Sequence, residues 1–194
     1  MILEALALSA GLGALAFAVR QVRRRASRAR NIHADTNAIA NGPRGLRVGD
    51  VLLHEDAEYW LAGALHLDED GLVLRAFHCP GAPLSTWVLQ LDARADDLAL
   101  CTATDALPEG VVPDSLSVAG QGYTLRRRGR ARVTSEGSDV PRGSNHARYN
   151  ILRGAGGRAL VVIDLEDATR LALVGPALDR TRIDLLPGGD AGPA

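Results

Sequence analysis

The chain has 194 residues, 46 % of them hydrophobic and 23 % charged, which excludes a wholly disordered polymer and fits one domain with an appendage. Its net charge of −1 conceals a division: residues 1–30 carry six Arg against Glu4 alone, and the remainder carries 16 Arg against 22 acids. A mildly acidic body argues against general nucleic-acid binding.

Residues 2–19 (ILEALALSAGLGALAFAV) contain one charge, Glu4, and one hydroxyl, Ser9. As a helix this run spans roughly 27 Å, close to a hydrocarbon core of about 30 Å. Arg20, Arg23, Arg24 and Arg25 follow at once, with Arg28 and Arg30 just beyond. A secretory signal peptide places its positive charge before the apolar run, so the order here is the reverse. The positive-inside rule predicts a single transmembrane helix in the cytoplasmic (inner) membrane, with the N-terminus out and the body cytoplasmic. The membrane-flanking Arg20, Arg23, Arg24 and Arg25 would attract anionic lipid. The bland alternative is a short buried helix rich in Ala and Gly. Ser9-x3-Gly13 and Ala10-x3-Ala14 have the small-x3-small spacing that lets helices pack closely, which allows a homodimer through this helix.

Residues 31–45 (NIHADTNAIANGPRG) read as a linker. The body then reads as all-β, with short apolar runs separated by turn signals. Strands are expected at 46–54, 58–67, 71–78, 85–92 and 97–103 in a first half, 46–106. A Pro-rich connector, 107–114, precedes a second half, 115–187, with strands at 115–119, 122–134, 148–153, 158–165, 170–175 and 181–186. Residues 188–194 read as a disordered tail. WVLQLDARADDLALC at 87–101 aligns with LVVIDLEDATRLALV at 160–174, and Tyr59-Trp60-Leu61 with Tyr123-Thr124-Leu125, as if the halves were an internal duplication. Neither half alone has enough strands to bury a core. Together they predict a barrel or sandwich.

Leu46-Arg47-Val48-Gly49-Asp50-Val51, Tyr59-Trp60-Leu61 and Trp87 resemble the opening half of the bacterial family called domain of unknown function 4178. Arg148-Tyr149-Asn150-Ile151, Gly156-Gly157-Arg158-Ala159-Leu160 and Val174-Gly175-Pro176 are similar to its closing half, so the resemblance covers about residues 45–188. The chain departs from the family after Gly71, where an aromatic and acidic run is replaced by Leu72-Val73-Leu74-Arg75. The resemblance implies an all-β domain and no assigned activity. It carries no catalytic residue to this chain.

Four groups of residues could carry chemistry. His54, His66 and His78, with Cys79 adjacent, are zinc-compatible types, but hairpin registers pairing His54 with Tyr59, His66 with Val73 and His78 with Leu61 would scatter them. Cys79 and Cys101, without a Cys-x-x-Cys spacing, read as buried reduced thiols. Gly11 to Ala16 and Gly154 to Ala159 match a loose Gly-x-Gly-x-x-Ala pattern, but neither lies at a strand-to-helix turn. Arg126, Arg128, Arg130 and Arg132 recur at period 2, which would align four guanidinium groups on one strand face with Arg127 opposite. Such a face could bind an anionic ligand or lipid headgroup. It could equally be a solvated row neutralised by Glu55-Asp56-Glu58 or Asp68-Glu69-Asp70.

The leading expectation is a membrane-anchored, non-catalytic module for protein interaction or scaffolding, with no cofactor, no metal and an unknown protein partner. An anion or headgroup sensor using the Arg126–Arg132 face is the alternative. A hydrolase built on scattered Asp and Ser residues is a third, weakened by the absence of any Gly-x-Ser-x-Gly.

Overall fold

The computed structural model describes residues 45–82, 85–92, 97–167 and 169–188. The expected transmembrane helix with Arg20, Arg23, Arg24 and Arg25, nearly all of the linker and the end of the tail lie outside these residues. Among the described residues, no helix is long and apolar enough to cross a membrane.

The body is all-β. Its strands are β1 (Val51–His54), β2 (Ala57–Trp60), β3 (Gly63–Glu69), β4 (Leu72–Cys79), β5 (Thr86–Gln90), β6 (Leu98–Ala103), β7 (Ser115–Val118), β8 (Gln121–Gly137), β9 (His146–Gly154), β10 (Ala159–Leu165), β11 (Arg170–Gly175), β12 (Ala177–Leu178) and β13 (Ile183–Leu186). Eight of them close an antiparallel barrel in the order β3-β4-β5-β6-β11-β10-β9-β8, with β8 returning to β3. The closing seam is short: Leu173 pairs with Ala103 and Val174 with Thr102. Gly175, next along β11, lets the two strands approach closely, since a Cβ there would collide with the Leu100 carbonyl.

Alternation along each strand sends one set of side chains into the lumen. Leu65, Leu67, Leu74, Ala76, Trp87, Leu89, Ala99, Cys101, Ala131, Val133, Ala147, Tyr149, Ile151, Val161, Ile163 and Leu173 belong to this core. Eight strands leave a bore that such residues fill. Val140, from the β8–β9 loop, folds into the same core and closes one end.

The outward faces are covered twice. Over β3 to β6 lies the small sheet β13-β1-β2, whose Leu52 and neighbouring Leu46 and Leu61 pack on Ala64, Phe77, Cys79 and Val88. Over the upper part of β8 to β11 lie β7 and the connector, with Val112 and Val118 against Tyr123, Leu152, Leu160, Val162 and Ala172. Covering on both sides explains why β5 is buried at every position and β10 at all but one.

The strand expectations need three corrections. Residues 46–50 form a turn instead of a strand start, because the buried Asp50 carboxylate accepts the Arg47 and Gly188 N–H groups at 2.9 Å each. The expected strand 58–67 is two strands in different sheets, broken at Leu61-Ala62. The hairpin turns are tighter than expected, so His54 pairs with Ala57, His66 with Arg75 and His78 with Gly63. The two halves share one core, since β6 joins β11, β3 joins β8 and β1 joins β13. The proposed 87–101 and 160–174 alignment matches hairpin to hairpin, yet it sets lumen-facing Trp87 against Leu160, which faces outward. A one-residue offset reverses every side chain.

The seam makes a direct prediction. Gly175→Ala should lower stability by about 1–3 kcal/mol in urea unfolding, as overpacking against a fixed carbonyl does. A change within about 0.5 kcal/mol, the range of neutral surface substitutions, would mean the seam is slack.

Candidate functional site

The arginine run lies on β8, but its geometry differs from a simple period-2 row. The register of β8 on β9 runs from Leu125 opposite Leu152 to Arg127 opposite Ile151, so Arg126 is the extra residue of a β-bulge. Before the bulge, Tyr123 and Leu125 face outward into the cluster beneath β7. After it, Arg127, Gly129, Ala131 and Val133 take the lumen side, and Arg128, Arg130 and Arg132 point out. Arg126 therefore does not belong to the row. The expected four-residue face has three members on β8.

The lumen-side Arg127 completes a polar cap over the barrel end. Its Nε donates to the Tyr149 hydroxyl at 2.7 Å, and its Nη2 to Glu69 Oε2 at 2.8 Å. Tyr149 itself donates to Glu69 Oε2 at 2.5 Å, and the Arg130 backbone N–H donates to Glu69 Oε1 at 3.1 Å. Gly129 permits this approach, since any Cβ there would overlap the Glu69 carboxylate. Three donors hold the Glu69 carboxyl below its ordinary range, the Tyr149 hydroxyl first and Arg127 second. Burial, reinforced by Glu69, pushes the Tyr149 phenol up to about 12.

Outside the barrel, an open groove of about 1730 Å³ runs across β8 and β9. Its floor is read from the strand registers. One row runs Asp68, Arg132, His146; the next runs Arg130, Arg148, Asp164, Arg170; the third runs Arg128, Asn150, Val162. The β3–β4 turn forms one wall, and Gly110 to Val112 of the connector form another. That connector is fastened from below: Arg170 donates to the Pro108 and Gly110 carbonyls at 3.1 and 2.6 Å, and Arg128 to the Val112 carbonyl at 2.6 Å. Arg128 also reaches Asn150 Oδ1 and Asp114, while Arg170 meets Asp164 at 2.6 Å. Both arginines are structural ties.

Arg130, Arg132 and Arg148 are different. All three are exposed, and none of their guanidinium groups meets a hydrogen-bond or ion-pair partner among the described residues. Arg148 is the member that sequence reasoning missed. Its signal was the alternation His146-Ala147-Arg148-Tyr149-Asn150, which puts polar residues on one face, but nothing local says that this face adjoins Arg130. The acid clusters expected to neutralise the row act elsewhere in part. Glu55 pairs with Arg182 at 3.1 Å, and Glu69 serves the cap.

The remaining candidates stay apart. His54 hydrogen-bonds the Arg182 carbonyl at 3.2 Å, His66 meets Glu136 at 3.2 Å, and His78 packs on Trp87 with centroids 4.8 Å apart. Among the described residues, no three His, Cys, Asp or Glu side chains are grouped to hold a metal ion. Cys79 lies in the outer cluster and Cys101 in the lumen, both unpaired with each other, and burial pushes each thiol up to about 12. Gly154 to Ala159 joins β9 to β10 through a 3-10 turn, with no helix N-terminus to receive a phosphate. No family model matches the chain, and no curated protein or solved structure is significantly similar to it.

The cap ties stability to pH. Because the Glu69 carboxyl is lowered in the fold, its contribution is complete above the ordinary value of 4.5 and is lost as pH falls through the folded-state value. Glu69→Gln should flatten the acid limb of a stability-versus-pH curve below about pH 4.5. Tyr149→Phe, which deletes hydrogen bonds to two charged groups, Glu69 and Arg127, should cost at least about 1.5–3 kcal/mol at pH 7. An unchanged acid limb in Glu69→Gln would remove the cap from the account of stability.

Proposed function

We propose that the β-barrel is a non-catalytic binding module, tethered by residues 1–30 to the cytoplasmic face of a membrane, and that its working surface is the groove over β8 and β9. One observation carries the reading: Arg130, Arg132 and Arg148 stand exposed on two paired strands, and none of their guanidinium groups has a hydrogen-bond or ion-pair partner among the described residues. Surface arginines whose guanidinium groups are unpaired on a two-strand floor favour an anionic partner and give it a defined orientation. The partner is thus a molecule or protein surface bearing negative charge, which joins the scaffolding and sensor readings in one site.

The protonation states support a binding role over hydrolysis. Glu69 is lowered, Arg127 and Arg170 are raised, and the Tyr149 phenol and both thiols are pushed up to about 12. These shifts deepen the charge states held at neutral pH, whereas a general acid or base needs a value near it. Membership of the bacterial family of domain of unknown function 4178 belongs to the same proposal and rests on the motifs quoted above.

The test compares material co-isolated from gently solubilised membranes with the full chain, a chain beginning at Asn31, and that chain carrying Arg130→Ser and Arg148→Ser. A partner held by both unsubstituted chains, released by salt and lost from the double variant supports the reading. Retention on the double variant overturns the groove as the working surface. Alkaline extraction of membranes tests the tether: the full chain should stay in the pellet and the shortened one should not. Release of both would overturn the anchor.

A further inference from the structure

Arg130 and Arg148 are direct cross-strand partners, which sets their Cβ atoms about 4.5–5.5 Å apart on one face. Two like charges in this position repel each other, so the fold gains nothing from them. Neighbouring acids relieve the pair only in part. Asp164, next to Arg148 in the row, is taken by Arg170, while Glu69 is held by Tyr149, Arg127 and the Arg130 backbone. Arg132, two residues along β8, adds a third arginine on the same face, its Cα about 6.6–6.8 Å along the strand.

The shape of this charge selects a chemistry. A carboxylate is planar and presents its one bidentate edge to a single guanidinium fork at a time. A phosphoryl group carries up to two charges and three acceptor oxygens pointing different ways, so two opposed forks and a third donor can share it. The surroundings select a size. Asp68 near the end of β3, Asp70 on the β3–β4 turn and Glu166 just beyond β10 line the groove beside the arginines. A flat anionic surface meets those carboxylates first, whereas a compact ligand passes between them.

We infer that Arg130 and Arg148, with Arg132 beside them, form a clamp for the phosphoryl group of a compact phosphate ester. The inference rests on the groove being the binding surface and names the ligand class that surface takes. Arg148 was not part of the linear arginine pattern, and the like-charge opposition exists only in the folded barrel.

The experiment uses the full chain in a neutral detergent, with calorimetric titration and thermal unfolding. Inorganic phosphate is compared with acetate at matched ionic strength, and with mixed micelles containing phosphatidic acid. Phosphate should bind saturably and raise the Tm, and acetate should do neither. Arg148→Gln should lose affinity for phosphate by about tenfold or more. In buffer without phosphate, the same variant should unfold at an equal or higher temperature than the parent, because the repulsion is gone. A misfolded variant would instead unfold earlier, and Arg130→Gln provides the same paired readout from the other strand.

Equal effects of acetate and phosphate, or an undiminished phosphate effect in both variants, would overturn the clamp. Binding to phosphatidic acid in micelles without binding of free phosphate would overturn the compact-ligand assignment. If no phosphoryl probe binds while Arg130→Ser and Arg148→Ser still abolish co-isolation, the clamp fails and the binding-module reading stands. If neither readout responds, the groove reading fails with it.

Discussion

Closure of the sheet between β6 and β11 is the constraint on which the rest depends. Two residue pairs join β6 to β11, with β12 pairing β6 alongside, and without that junction β11 would present an open edge. Closure converts alternating strands into an inside and an outside. The inside is settled by size: an eight-strand bore takes Leu, Val, Ile, Ala and two large rings, Trp87 and Tyr149. The outside then needs its own covers, which explains an all-β body carrying three apolar clusters instead of one.

Glu69 solves a local problem that closure creates. β8 is long: its first residues pair with β7 and its last with β3, so the strand changes partners along its length. At the changeover the Arg130 N–H finds a side-chain acceptor, Glu69 Oε1, instead of a backbone carbonyl. The same carboxylate satisfies the buried Tyr149 hydroxyl and the arginine displaced inward by the bulge. One acid thus joins β3, β8 and β9 at the barrel end. Gly129 is the concession that lets it approach.

Most of the strand pattern was legible, because apolar runs between turn residues respond to the same physics wherever they occur. The failures have identifiable causes. Residues 46–50 have strand composition, but Asp50 reaches Gly188 across the whole chain, a contact no window reveals. The arginine row was read as continuous because a bulge leaves no mark in period-2 spacing. Gly129, alone among charged residues in a strand, was the available warning of a close approach. Arg148 could be placed on a face from its own strand, yet its opposition to Arg130 depends on register, which is a tertiary property.

Where the covers stop decides where the site lies. The outward residues of β10 read Leu160, Val162, Asp164 toward the lower end, and those of β9 read Leu152, Asn150, Arg148, His146. Both lose their apolar character where the connector no longer shields them. Arg128 stands at this boundary and binds the Val112 carbonyl, as Arg170 binds those of Pro108 and Gly110. Two arginines therefore fix the edge of the cover, and the next three lie beyond it with no guanidinium partner among the described residues. The same residue type does both jobs in adjacent positions, so composition could never separate them. The distinction comes from the connector: it supplies carbonyl acceptors to the arginines it overlies, and leaves Arg130, Arg132 and Arg148 available to something that is not part of the barrel.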